Sequence, residues 1–543
     1  MTERPSRVVI HFARVLLRFV LVGSAAAARA EEPVYWQVVF SYEDARLAVL
    51  DASRLPPMKK RLQTTEEESS PLVVGCELSW LDAGGATIRS CPIVLPLGMW
   101  YDDFEAGTGG ITIPDRGCVT VRIPGPASEG EPTSIRLKRT HVAWNDTHLK
   151  SKGLPDAFRF AELLLPIEKR LPKIAVEPGP VGITKIHDSG DDGNRIVVAI
   201  LGDGYTEEDL SSGLFADNAE TVLEALRNAP PWSYYMNVVN VYRIDTISKE
   251  SGVDDPANGF YADTYFDSYI DGALMLIDSP KVHLTIFKFL PPPSPESILV
   301  LGNTPIYSGA GSRDIATTYN GEHLPFIALH EQGHQFGFLI DEYETGADAP
   351  PEHQSDRLNW DRTYDRNRLK WKHWVEPDTP LPTPETVEYD DVVGAFEGAN
   401  RWPIGVYRPY LECMMRSFTP FCPVCQELVS IKIIVPVDLA DAISPEPWGT
   451  VLLDSALTVF EATPVSVSPL VFEWELDGEI LPGETGPTLS LSEDILGRAD
   501  TAELWLTISH PTDLIRKRSV FRKYPWTLQR NLSASVDNWR LLE

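Results

Sequence analysis

Three textures of hydrophobic and polar positions follow one another along the chain. From about residue 34 to 150, short apolar runs recur between Gly, Pro and acidic turns, at 34–40, 76–81, 110–113, 118–123 and 134–137. They are rich in β-branched and aromatic residues, and their spacing predicts strands of a β-sandwich, with 63–70 as a polar loop. Residues 151–190 hold Pro and Gly without a period and read as a connector. From about 192 strands and helices alternate. The unbroken apolar run 196–201 predicts a strand buried on both faces. After Gly202-Asp203-Gly204-Tyr205, Thr206 and Asp209 form a capping box that opens a helix. Leu214, Phe215, Val222, Leu223 and Leu226 then keep helical spacing. Further strands are predicted at 238–244, 283–289 and 298–301, a helix near 271–276, a Gly-rich turn at 307–311 and an edge strand over 313–318. Pro325 suits the first turn of the next helix, and Phe326, Ile327 and Leu329 supply its buried side. Residues 346–400 read as an excursion with short helices near 369–374 that roof a cleft. Strand texture returns at 450–453, 470–478, 488–491 and 504–508, with Trp474 as the buried aromatic of a second sandwich.

Length and charge narrow the picture. A chain of 543 residues needs more than one core. A formal charge of −30 excludes nucleic acid as the expected partner, since phosphates call for basic patches. Solubility is the plain reading of that charge. Arg4, Arg7, Arg14 and Arg18, the apolar run 19–27 and Ala28-Arg29-Ala30 form a signal-peptide pattern over 1–30. The apolar run is too short to span a bilayer, and no cysteine near the cleavage site offers a lipid anchor. The expectation is export to the periplasm or beyond with no stable membrane anchor. Removing residues 1–30 takes away five Arg and one Glu, so the charge moves from −30 to −34.

Six cysteines suit an exported chain. Cys76, Cys91 and Cys118 lie early, and Cys413, Cys422 and Cys425 lie late. Each group is odd, so complete pairing needs a bridge between them. Cys422-Pro423-Val424-Cys425 lacks the βαβ surroundings of a redox motif and the second CxxC of a zinc ribbon, so structural disulfides are expected.

The densest chemistry lies at His330-Glu331-Gln332-Gly333-His334. On a helix the two histidines leave one face a turn apart and can share a Zn²⁺ ion at about 2.0–2.1 Å per nitrogen. Glu331 is then placed to take a proton from water at such an ion. Gly337 ends or turns the helix and returns Asp341 and Glu342 toward the histidines. The third ligand is open among Asp341, Glu342 and a distal Glu, with Asp341 preferred on ligand chemistry and proximity. A bland reading keeps two satisfied histidines on an amphipathic helix and a solvated acidic end. Cys413-Met414-Met415-Arg416 could turn a Met beneath the histidines. Tyr343, Tyr410, Arg408 and Arg416 are oxyanion donor candidates. Asp203 and Asp254-Asp255 read as solvated loops or a structural calcium site.

The run HEQGHQFGFLIDEY at 330–343, Leu201 to Tyr205, Tyr307 to Gly311, Glu397 to Ala399, Tyr407 to Pro409, Cys413 to Arg416 and FCPVC at 421–425 together resemble the IgA-peptidase family of secreted bacterial zinc metallopeptidases. The resemblance covers about 190–430. It implies an endopeptidase with His330, His334 and Asp341 on zinc, Glu331 as base, and an N-terminal β-sandwich; the immunoglobulin substrate of the family name does not transfer. The fold expected is multidomain: an α/β zincin-like catalytic domain over 191–434, flanked by an N-terminal β-sandwich over 31–150, a connector over 151–190 and an immunoglobulin-like β domain over 435–543. The function expected is a secreted zinc endopeptidase acting on polypeptides. The alternatives are an exported protein- or glycan-binding protein with an inactive or structural zinc domain, and a zinc hydrolase acting on a non-peptide amide.

Overall fold

An eight-stranded sheet runs through the middle of the molecule, and its spine is the apolar run around residue 200. The computed structural model describes residues 35–43, 46–54, 72–97, 99–103, 108–112, 116–126, 132–144, 156–167, 181–290, 294–312, 314–345 and 357–531. The signal-peptide pattern at 1–30 and the polar loop at 63–70 lie outside them. The sheet is built from β1 (Met99–Asp103), β2 (Thr108–Thr112), β3 (Gly182–His187), β4 (Ile196–Asp203), β5 (Val239–Asp245), β6 (Ser297–Gly302), β7 (Gly309–Ser312) and β8 (Ala316–Tyr319). Their spatial order is β3-β5-β4-β6-β8-β7-β1-β2. β4 is parallel to β5 and β6, and β6 is parallel to β8. β7 runs antiparallel to β8 on one side and to β1 on the other.

Strand alternation sends the β4 side chains to two cores. Ile196, Val198 and Ile200 pack with Phe215, Val222 and Leu226 of helix α1 (Leu214–Asn228). Ala199 and Leu201 face Val282 and Ile286 of helix α2 (Ser279–Phe289) on the opposite side. Helix α3 (Leu324–Gln335) joins the first core through Leu324 and Ala328. Every residue of β4 is buried, as a strand covered on both faces requires. The Thr206–Asp209 capping box is present, but it opens only a short helix, Glu207–Ser211. Gly213, at φ 89°, breaks it before α1 begins.

Several predicted elements change type or place. The run predicted as a strand at 283–289 is the end of α2. Asp278 caps that helix by accepting from Lys281 N, and Pro280 sits in its first turn. An apolar run without alternation does not separate helix from strand, and here the cap decides. The helix predicted near 271–276 is a hairpin, Tyr269–Asp271 against Leu274–Leu276, with Gly272 at φ 65° in its turn. The Gly-rich turn predicted at 307–311 supplies strand β7. The second half of the edge strand predicted over 313–318 lies inside the sheet, in β8. The N-terminal hairpin β1–β2 extends the sheet beyond β7, with Gly311 opposite Trp100 and Ser312 opposite Met99.

The flanks are β structure. A three-stranded sheet (Arg46–Arg54, Tyr35–Glu43, Arg116–Pro124) and a four-stranded one (Thr87–Leu97, Leu72–Leu81, Ser134–Trp144, Glu162–Pro166) share a core. Val38 and Phe40 meet Leu78, Trp80 and Leu137 there. Glu162–Pro166 and β3 both fall in the stretch read as a connector. C-terminal sheets of three and five strands enclose Trp474, whose ring lies 5.9 Å from that of Trp526 and whose Nε1 donates to Gly486 O at 3.0 Å. Arg195 grips Asp441 with two bonds of 2.7 and 2.8 Å, tying this part to the central sheet. The chain is thus a multidomain, β-rich protein with few helices. Among the described residues no helix is long and apolar enough to cross a membrane.

α3 ends at Gln335, and the turn after it is made by Phe338 at φ 54° rather than by Gly337. Gly337 serves close approach instead: a Cβ there would lie 2.8 Å from Gly333 O. At Gly333 a Cβ would lie 2.8 Å from Met415 Sδ and 3.2 Å from a Phe421 ring carbon. Met415 is therefore pressed against the helix between the two histidines. Replacing a helical Gly with Ala ordinarily stabilises by about 1 kcal/mol, whereas overpacking a core costs about 1–3 kcal/mol. Gly333→Ala should therefore lower the melting temperature of the full chain in calorimetry; a rise would show that Met415 yields freely.

Candidate metal centre

His330 and His334 stand one turn apart on α3, with ring centroids 4.8 Å apart and planes at 88°. Asp341 comes back to meet them. Its Oδ1 lies 3.7 Å from His330 Nε2 and 3.1 Å from His334 Nε2. The ligand atoms of all three residues fall within 4.8 Å of one another, and all three side chains are buried. The outer nitrogen of each imidazole is held by a backbone carbonyl. His330 Nδ1 is 2.9 Å from Met414 O, and His334 Nδ1 is 3.0 Å from Leu339 O. A carbonyl only accepts, so each Nδ1 carries the hydrogen and each Nε2 turns a lone pair inward. Two imidazole nitrogens and a carboxylate so arranged are a donor set that fits zinc.

The loop after α3 is pinned along its length. Leu339 N donates to Gly333 O at 3.0 Å, and Arg357 donates to Leu339 O beside His334. Ile340, in the position where a metzincin-type spacing would put a ligand, packs in a core with Trp360 and Val406. Asn400 N donates to Asp341 O at 2.9 Å, and Glu342 N donates to Met415 O at 2.6 Å.

Glu342 takes the opposite direction from Asp341. Its Oε1 accepts from Asn359 Nδ2 at 3.0 Å and from Cys425 Sγ at 3.1 Å. Together with Cys413, Cys422 and Cys425 it forms a second group whose ligand atoms lie within 4.8 Å of one another. Burial holds the Glu342 carboxyl well above the usual range, against the hydrogen bonds from Asn359 and Cys425. The expected disulfides do not occur among the described residues: Cys76, Cys91, Cys413, Cys422 and Cys425 are all free thiols. The three late cysteines converge on a carboxylate instead of pairing across the chain. The spacing 413, 422, 425 with an acidic residue just past Asp341 was the sequence signal for this group.

Glu331 is buried and faces strand β7. A Cβ at Gly309 would lie 2.9 Å from Glu331 Oε1, and one at Gly311 would lie 3.0 Å from Oε2. Only glycine lets the strand pass so close to that carboxylate. Arg408, Arg416 and Tyr410, named above as donor candidates, each bind a carboxylate. Arg408 bonds Glu344 at 3.1 Å and Glu385 at 2.6 Å, Arg416 bonds Glu344 at 2.8 Å, and Tyr410 donates to Asp391 at 3.1 Å. Asp203 anchors the loop after Phe266, accepting from Phe266 N at 2.9 Å and Ser268 N at 3.2 Å. Asp254 accepts from Ala262 N at 2.6 Å, and Asp255 accepts from Asn258. Asp254 and Asp255 thus serve local turns, and Asp203 ties the end of β4 to a distant loop.

No curated protein matches the chain. Among solved structures it is similar to a putative beta-galactosidase from Bacteroides fragilis, at 10% identity over 93% of this chain and 74% of that one, with a TM-score of 0.11. It is also similar to a beta-glucuronidase from Bacteroides uniformis, at 8% identity over 91% of this chain and 61% of that one, with a TM-score of 0.12. Neither likeness carries an argument at such scores. The family comparison is of another kind, because residues 184–390 and 385–434 match the family model described as IgA Peptidase M64. That matched stretch holds β4 to β8, the two histidines, Asp341 and the three late cysteines, and over it the chain is similar to the IgA Peptidase M64 family.

Proposed function

We propose that this chain is an exported zinc-dependent endopeptidase, with a zincin-like α/β domain between an N-terminal β-sandwich and a C-terminal immunoglobulin-like sandwich. The observation that carries the reading is the convergence of His330, His334 and Asp341 around one point, with both imidazoles turned to it by backbone carbonyls. The match to the IgA Peptidase M64 family model supports peptidase activity and a polypeptide substrate. The signal-peptide pattern over 1–30 supports export.

His330, His334 and Asp341 would hold the ion. A zinc bound there supplies Lewis-acid polarisation of a carbonyl and acidifies a water. Glu331, next to His330 and between α3 and β7, takes the proton of the attacking water and hands it to the departing amine. An intact base beside the histidines favours a catalytic site over a structural one, since a structural zinc needs no base.

Two variants test this on the full chain. Glu331→Gln should keep its zinc while cleavage of a mixed protein substrate falls by roughly 10²–10⁴-fold, the range typical for losing a general base. Equal cleavage by both forms would remove Glu331 from the mechanism, and no cleavage by the parent would favour the binding or non-peptide readings. Asp341→Ala should lose the zinc held by the histidines, read as metal content after dialysis. Full retention would move the third ligand elsewhere.

A further inference from the structure

We propose that Glu342, Cys413, Cys422 and Cys425 form a second metal site, behind the histidine site and sharing no ligand with it, that binds zinc in a closed four-ligand shell.

The geometry comes first. The three sulfurs and a Glu342 oxygen lie within 4.8 Å of one another. Tetrahedral zinc with Zn–S of about 2.3 Å separates its sulfurs by about 3.8 Å, inside that span. Four protein donors are the complement of a structural zinc site, whereas a catalytic one keeps a position open. All four side chains are buried, at 0 to 2% exposure.

The surroundings suit anionic ligands. Helix α4 (Pro423–Ile434) begins at this point, with Cys422 as its N-cap and Cys425 in its first turn. The positive end of a helix favours thiolate. Cys422 N already donates to Cys413 Sγ at 3.3 Å.

The second, independent observation is Glu342. Its Oε2 is buried and has no hydrogen-bond partner among the described residues. A buried carboxylate oxygen left in that condition is costly, and a cation among the three sulfurs supplies what it lacks. A disulfide between any two of the cysteines would leave the third thiol and this carboxylate buried together with the oxygen still unanswered. On binding Zn²⁺, each ligand that enters as a thiol or a protonated carboxyl gives up its proton to solvent.

The position of the site gives it a role. Its ligands come from the loop after α3, the turn at 413 and the start of α4. Two residues of that turn meet the histidine centre: Met414 O receives the His330 bond, and Met415 lies beneath Gly333. A metal here ties together the three segments that orient the histidine site, whether or not the proposed peptidase reading holds.

The test uses the full chain. Zinc is removed with a chelator and replaced with cobalt(II), and the spectrum is compared with that of His334→Ala and Cys425→Ser. The expected result is an intense thiolate-to-cobalt charge-transfer band in the near ultraviolet. It should persist in His334→Ala and vanish in Cys425→Ser, with zinc content falling from about two equivalents to about one in each variant. A His2Asp centre has no sulfur and cannot give that band, so failure of the peptidase reading and failure of this one are separable. Absence of the band in the parent chain overturns the proposal, as does an intact mass two hydrogens low that shows a disulfide among these cysteines. If Cys425→Ser fails to fold, the parent's cobalt spectrum still decides.

Discussion

Two backbone carbonyls, those of Leu339 and Met414, decide which nitrogen each histidine turns inward. Helical spacing places His330 and His334 on one face, but spacing leaves each ring free to rotate and either nitrogen free to carry the hydrogen. The bonds from Nδ1 to those carbonyls remove both freedoms. Leu339 lies just past the helix, and Met414 lies more than eighty residues from His330. The centre therefore forms only when the turn at 413 has docked against α3. Met415 fills the space that Gly333 leaves open, and Glu342 N grips Met415 O from the other side.

The same docking separates the two acidic neighbours. Asp341 and Glu342 follow each other in backbone outside any helix, where successive side chains point to opposite sides. One reaches the imidazoles and the other the thiols. Two candidate ligand groups are thus supplied from one short loop, on opposite sides of the same peptide. Arg416 donates to Glu342 O at 3.0 Å and to Glu344 at 2.8 Å, which brings a positive charge to that loop.

Much of this was legible in the chain. The apolar run of β4, the capping box at Thr206, the buried Trp474 and the His330–His334 pair all follow from local periodicity. Other features were hidden for physical reasons. The run 283–289 has the composition of a strand, and its helix depends on Asp278 and Pro280 just upstream. Gly309 and Gly311 look like turn residues because glycine is usually chosen for torsional freedom. Here it is chosen because Glu331 lies where a side chain would stand. The cysteines were read two by two, as an oxidising compartment suggests, and only the meeting of distant segments shows three of them beside one carboxylate. The hairpin at 99–112 could not be assigned to the central sheet from its own residues, since strand pairing depends on the partner's edge.

That hairpin changes the status of the strand beside Glu331. β7 would be the border of the sheet if the chain began at residue 181, and its backbone at Gly311 and Ser312 would be open to an incoming extended peptide. In the whole chain those two residues already face Trp100 and Met99. A guest strand seeking that place would have to displace a strand of the same chain. The N-terminal segment thus closes an edge that the neighbouring elements alone would leave open.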